Sequence, residues 1–466
     1  MSYLPITSAN IKWLRAHGFN AVDDQIIQHV ALPNNFAIAN AAGIYSWFVK
    51  INRFNWDPVN GFASTEIHPA FIFSALSPPV NAAFTAGAGT LPIGTYYYRV
   101  TALTASGETI PSAETSLALT AIGGVNVNWS AVTGATGYKV YGRSTGAELF
   151  IAQVAAGVTT YLDNGSITPT GTMPTMNTTG EREIYSAKFQ ACLLAATGLE
   201  DNVNGIYAGS RPFVEQKSSV NFDQALAFCA ANNGGGITGF HLMTNAEWAA
   251  AQIKAIAGAT QPYGNTNYGR DDRDPSITGR CYTLNQFSVA SDQARWRTGS
   301  GGIKTAHNHD ASGIFDLAGN VWEWVDKMRL NFGEINIDVG SGWQAILRDG
   351  TLVAPGTANT LKFDPSGNVT IAATSGSGSH LFETQTLVAP VVDADAGVAL
   401  LKKLGIIPYT TGLNGDSFWY NNGIESIPVR GGSCVDGSNA GVSALYLSAE
   451  RGLVDWVVGF RLAFAL

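Results

Sequence analysis

The sequence predicts a multidomain chain that is mainly β, with an α+β unit at its C-terminal end. Three observations carry that reading. The 466 residues suggest roughly three domains. Glycine supplies 52 of the 466 residues, about 11% against a usual ~7%, which marks a turn-rich protein. Aromatic residues make up 11% and charged residues only 13%, so the chain can bury large cores rather than stay disordered. Lys and Arg number 27 against 35 Asp and Glu, a net charge of −8. That balance, with no basic cluster, argues against nucleic acid as a partner. No apolar run reaches the ~18 residues needed to cross a bilayer, so no membrane insertion is expected. The opening MSYLPITSANIKWLRAHGF lacks a basic-then-apolar signal pattern, which predicts synthesis in a cytoplasm without general secretory export. Cys192, Cys229, Cys281 and Cys434 are scattered without a C-x-x-C spacing, so reduced structural cysteines are expected.

Residues 1–79 form the first unit, read as an N-terminal attachment or oligomerisation unit. Ser8 is placed to cap a helix over 9–16 that Gly18 stops, and Asp23 and Asp24 open another that Pro33 ends. Trp47, Phe48, Phe54 and Trp56 are expected in packing or intersubunit contacts. Ser77-Pro78-Pro79 reads as a rigid linker.

Residues 80–178 hold short β-branched and aromatic runs separated by turns: TYYYRVTAL, VNVNWSAV, GYKVYGRS and ELFIAQV. Trp129 followed by Gly137-Tyr138-Lys139-Val140-Tyr141 resembles a fibronectin type III or immunoglobulin-like module. The resemblance implies a β-sandwich with Trp129 and Tyr138 as core anchors. Such sandwiches serve many roles, so it implies little about function.

Residues 179–466 form the last unit. Asn221 is an N-cap for a helix from Phe222 to Ala231, and the asparagine–glycine run 232–236 ends it. Thr244-Asn245-Ala246-Glu247 has the form of a capping box opening a second helix, EWAAAQIKAIA. Beyond Gly258 the chain reads as mostly loop. The stretch of about 331–417 reads as an insertion containing hairpins.

Three segments of this unit carry its chemistry: Gly239 to Trp248, Gly313 to Trp324, and Val429 to Ser433 with Gly459-Phe460-Arg461. Gly319-Asn320 is a turn dipeptide, after which Trp322 and Trp324 share one face of an extended segment and Glu323 points the other way. Arg430 and Arg461 are suited to bind buried carboxylates or carbonyls. Trp322, Trp324, Arg430, Gly431, Gly432, Gly459, Phe460 and Arg461 are therefore read as structural framework.

In that order the three segments resemble the formylglycine-generating-enzyme type of C-type lectin fold. The resemblance implies a calcium site in which Asp316 and Glu323 act with the carbonyls of Gly319 and Val321, a mixed oxygen set of the kind calcium takes. The alternative is a hydrogen-bonded turn with an exposed Asp316, and no cofactor is required. The enzymatic branch of the family needs two nearby C-terminal cysteines, and only Cys434 is present. A thiol without a close basic partner is a poor nucleophile. His307-Asn308-His309 is the only close histidine pair, in a polar loop, and metal binding is not expected there. The chain is accordingly expected not to be an enzyme.

Residues 431–461 resemble the variable region of proteins diversified by retroelements whose reverse transcriptase randomises template adenines. Framework residues alternate there with chemically unrelated ones. Val435, Asp436, Ser438, Ser443, Tyr446, Ser448, Ala449, Gly452, Leu453, Asp455 and Val457 are the expected receptor-binding, variable positions. Phe418, Trp419 and Tyr420 are candidates to flank them. The resemblance extends to phage tropism determinants and tail-fibre receptor-binding proteins. It implies adsorption to a host-cell-surface receptor (protein or glycan), contacts with other phage tail proteins, a homotrimer, and a place in the virion. The alternatives are a bacterial retroelement-diversified ligand-binding protein and an oxidase of the formylglycine-generating type.

Overall fold

The computed structural model describes the backbone of residues 3–5, residue 32, and residues 34–281, 294–372 and 375–466. The helices expected over 9–16 and from Asp23 lie outside the described residues. The described chain is mostly β, with few helices.

The sandwich consists of two antiparallel sheets. One orders the strands Thr160–Asp163, Gly123–Asn128 and Thr85–Leu91. The other orders Thr115–Leu119, Gly94–Leu103, Gly137–Arg143 and Leu149–Ala155. Alternate side chains meet between the sheets, where the rings of Trp129 and Tyr138 lie 5.4 Å apart. Asp163 closes one end by accepting two bonds from the Arg143 guanidinium at 2.7 Å each and one from the Tyr98 hydroxyl at 2.8 Å.

The last unit is built on a six-stranded sheet in the order Tyr3–Pro5, Asn35–Ala39, Tyr45–Ile51, Ile184–Ala187, Leu462–Ala465 and Phe240–Leu242. Successive side chains of each strand serve opposite faces. On one face Phe48, Tyr185 and Phe464 pack against Phe222, Ala225 and Cys229 of the helix Phe222–Ala230. On the other, Val49, Ile51, Ile184 and Ala463 pack against Trp248, Ala250 and Ala251 of the helix Asn245–Ala257. A sheet covered on both faces reads in sequence as nearly continuous apolar runs. Both helices begin with complete capping boxes, Asn221 with Gln224 and Thr244 with Glu247. Each cap satisfies orphan N–H groups and contributes ~1 kcal/mol.

This sheet corrects the division at residue 79. The strand Tyr45–Ile51 pairs with Asn35–Ala39 on one side and with Ile184–Ala187 on the other, and Ala70 and Phe71 share the core of helix Asn245–Ala257. Residues 35–71 therefore belong to the last unit, and the sandwich is inserted between two parts of one core. Trp47 packs on Phe189, and Trp56 lies 4.7 Å from Tyr409.

The expected insertion carries its own core. Hairpins join Glu334–Asp338 to Trp343–Ile346 and Lys362–Phe363 to Val369–Thr370. A helix at Ala396–Lys403, which the sequence reading missed, packs Val398 and Leu401 against them. Next to this core stands a sheet in the order Ser377–Leu381, Ser417–Asn421, Leu445–Leu447, Val429–Arg430, Trp322–Trp324 and Val458–Phe460. It carries the candidate site.

Candidate functional site

Strands Ser417–Asn421 and Leu445–Leu447 run parallel, with Phe418 beside Leu445, Trp419 beside Tyr446 and Tyr420 beside Leu447. Alternation sends Phe418, Tyr420, Leu445 and Leu447 into the core of the insertion. Trp419 and Tyr446 take the opposite face and meet Trp322 there. The ring centres are 5.5 Å apart for Trp322 and Trp419, 5.8 Å for Trp322 and Tyr446, and 6.0 Å for Trp419 and Tyr446. Trp322 is buried, whereas Trp419 and Tyr446 are half-buried.

Two carboxylates border this triad. Asp436 accepts from the Ser433 backbone N–H and hydroxyl at 2.7 Å each, and burial pushes its carboxyl above the usual carboxylate range. Asp455 accepts from the Val457 N–H at 3.1 Å, and its carbonyl accepts from Ser219 at 3.0 Å. The Tyr446 phenol is pushed up first by burial and then by these two facing carboxylates. Leu453 and Val457 are partly buried against the same core that Trp322 belongs to. Val435 and Ser448 keep partial solvent contact, and Ser438 and Gly452 are exposed. A Cβ added at Gly452 would meet nothing within 4 Å.

Two expected surface positions are corrected. Ser443 is fully buried; its N–H donates to Asp416 at 2.7 Å and its hydroxyl accepts from Gln252 at 3.1 Å. Ala449 lies in the main core. Both fall where the chain turns inward between exposed stretches, which residue type alone does not reveal.

The framework residues are all buried. Arg430 donates to Asn245 Oδ1 at 2.7 and 3.0 Å and to the Gly405 carbonyl at 2.7 Å. With no carboxylate among these partners, burial pushes its guanidinium down to about 9. Gly432 has φ +81°, and a Cβ there would come within 2.3 Å of the Ala440 Cβ. The Trp324 indole donates to the Val220 carbonyl at 3.0 Å.

Residues 181–354 match the family model described as sulfatase-modifying factor enzyme 1-like domain. The matched stretch includes the strand Trp322–Trp324 and ends within the insertion, ahead of residues 435–457. Among solved structures, "Major Tropism Determinant U1 Variant" aligns with 92% of this chain and 81% of its own, at 11% identity and a TM-score of 0.24. No curated protein matches the chain.

The calcium ligands that the family resemblance implies for this domain come together, but around a protein group. The Gln190 amide nitrogen lies 3.2 Å from the Asp316 carbonyl, 3.5 Å from that of Gly319, 3.1 Å from that of Val321 and 3.0 Å from Glu323 Oε1. Its own oxygen accepts from Asn320 Nδ2 at 2.9 Å, which assigns the two ends of the amide. Glu323 is also held by Arg461, through Nε at 2.8 Å and Nη2 at 2.7 Å. The Asp316 carboxyl faces away and accepts from the Gly299 N–H at 2.7 Å; burial pushes it up to about 7. The side chains present do not fit a calcium ion at Asp316 and Glu323, which corrects that expectation. Gln190 lies 133 residues from Glu323 in sequence, and no motif signals it.

The other candidate groups are occupied. Cys434 is buried, and burial pushes its thiol up to about 12, far from a reactive thiolate. The buried His307 accepts from the Ile314 N–H through Nδ1 at 2.9 Å, while His309 bonds the Gln261 carbonyl at 3.1 Å. Among the described residues, no three His, Cys, Asp or Glu side chains are grouped to hold a metal ion. No helix of the described residues is long and apolar enough to cross a membrane.

Proposed function

We propose that this chain is a receptor-binding protein at the tip of a phage tail fibre, presenting the face around Trp419, Tyr446 and Asp455 to a host-cell-surface ligand. The observation that carries this reading is the half-buried Trp419–Tyr446 pair, set with Asp436 and Asp455 on a floor of fully buried framework. Aromatic side chains offer large contact area at low entropic cost and dominate binding hot spots. The floor holds its shape through Arg430, Arg461 and the two tryptophans, so the groups above it are replaceable without cost to the core. The open space at Gly452 supports the same reading.

In this reading the protein binds rather than catalyses, assembles as a homotrimer with other tail proteins in the virion, and gains avidity from several faces acting together. Residues 431–461 form the region varied by retroelement copying. A near-copy of their codons beside a reverse-transcriptase gene, with mismatches confined to template adenines, tests the last point.

The function is tested by adsorption of the labelled full-length protein to a panel of bacterial strains. Wild type binds at least one strain. Trp419→Ala and Tyr446→Ala each lose binding by roughly 30-fold, the equivalent of a hot-spot residue. Adsorption to no strain, or equal adsorption by the variants, refutes the reading.

A further inference from the structure

We propose that the Gln190 side chain is a built-in substitute for a metal ion, and that the floor of the Trp322 face is held in shape without calcium. Four oxygens from one short segment converge on a single interior point: three main-chain carbonyls and one carboxylate oxygen. Oxygens so placed repel one another unless something positive stands between them. Calcium does this with six to eight oxygens at roughly 2.3–2.6 Å. Here an amide nitrogen does it, at 3.0 to 3.5 Å, through two polarised N–H bonds.

The amide is delivered rigidly. Gln190 is fully buried between the strands Ile184–Ala187 and Ala191–Leu194. On its N-terminal side the Lys188 N–H donates to the Trp47 carbonyl at 2.9 Å and the Phe189 N–H to the Ser210 hydroxyl at 3.1 Å. The charge that a cation would bring is already present. Arg461 touches the same Glu323 oxygen at 2.7 Å, and its Nη2 also reaches the Asp316 carbonyl at 3.3 Å. Trp322 sits between Val321 and Glu323, so whatever holds this cage also holds the floor of the binding face. The proposal stands apart from the receptor-binding reading, because the cage belongs to the core whatever the face binds.

The test uses the full-length protein, with calcium chloride, EDTA and terbium chloride as probes. Wild type melts at the same temperature in calcium and in EDTA, and gives no saturable terbium luminescence. Gln190→Ala melts lower by roughly 5 °C or more in EDTA, since the oxygens lose their donor. Calcium restores part of that loss, and saturable terbium luminescence sensitised by Trp322 and Trp324 appears. Gln190→Glu preserves side-chain length and gains the same luminescence. The proposal is overturned if calcium raises the wild-type melting temperature, if wild type binds terbium as well as the variants do, or if a folded Gln190→Ala neither loses stability nor binds either ion. Should Gln190→Ala fail to fold, the wild-type measurements and Gln190→Glu decide alone. None of these readouts involves host cells, so a failure of the adsorption reading leaves them untouched.

Discussion

Gln190 and Glu323 lie 133 residues apart in sequence and touch at 3.0 Å in the protein interior, in a contact completed by Arg461. Arg461, one residue after Phe460, joins the end of the chain to its middle. Its guanidinium also reaches the carbonyls of Ala187 and Phe315, at 3.1 and 2.9 Å. One side chain thus ties together the central sheet, the turn before Trp322 and the C-terminal strand.

Removing that side chain leaves Glu323 charged, buried and unpaired. Arg461→Met is expected to cost roughly 3–5 kcal/mol, the usual penalty for stranding one partner of a buried ion pair. Chemical denaturation measures it. Glu323→Gln in the same chain recovers part of the loss, because the stranded charge is then gone. A single-mutant cost below about 1 kcal/mol contradicts the assignment.

The two glycines Gly432 and Gly452 respond oppositely to a side chain. Gly432→Ala combines a left-handed backbone with a 2.3 Å approach to Ala440, and loses roughly 1–3 kcal/mol. Gly452→Asn meets open space and stays within about 0.5 kcal/mol of wild type. Melting temperatures of the two variants check the pair; equal shifts refute the division into floor and face.

Ser448 and Ala449 are neighbours with opposite orientations. Ser448→Tyr leaves the fold intact because its side chain has room in solvent. Ala449→Tyr forces a ring into the core beside Phe222 and Phe460, and soluble yield collapses. An intact, soluble Ala449→Tyr contradicts the burial of that position.

Stability depends on pH through Asp416. Burial pushes its carboxyl up to about 7 from 3.8, against hydrogen bonds from Ser443 that lower it. The folded state therefore holds this proton more tightly than the unfolded chain. Stability is fully present below about pH 4 and is lost as pH rises through about 7. Asp316, raised to about 7 by burial, acts with the same sign. Burial alone would raise Glu247, but His241 and Arg182 hold it down to about 2, so it titrates below this window. The melting temperature is expected to be higher near pH 5 than near pH 8, with a smaller difference in Asp416→Asn. A wild-type melting temperature that rises between those values contradicts the sign.

The thiols of Cys192 and Cys434 are buried, and burial pushes each up to about 12. Burial also pushes Cys229 well above its ordinary value. A thiol-specific reagent is expected to leave these three unmodified in the native protein and to reach all of them in denaturant. Native-state labelling of Cys434 contradicts its packing.

Local signals were legible wherever the physics was local. Asn221 and Thr244 announce their helices because a cap and its partner lie three residues apart. Trp322 and Trp324 share a face because strands alternate. The sandwich announces itself through short strands and turns, and Trp129 meets Tyr138 as expected. By contrast, the apolar run Tyr45–Ile51 is compatible with any fully covered strand, and nothing in it names its partner. The helix Ala396–Lys403 was missed for a related reason. It is eight residues long, and its Asp395 N-cap makes no side-chain capping bond.

The sequence by itself determined the mainly β class, the two capped helices, the alternation of Trp322 and Trp324, and the buried framework around Gly432 and Arg461. Each rests on contacts within a few residues or on the chemistry of one side chain. Only the tertiary structure decided that residues 35–71 share the core of the last unit. It alone brought Trp419 and Tyr446 onto Trp322, turned Ser443 and Ala449 inward, and set Gln190 at the centre of the oxygen cage. Those outcomes depend on which strands pair across more than a hundred residues. Pairing is settled by the joint burial of many apolar side chains, a sum that no single stretch of sequence contains.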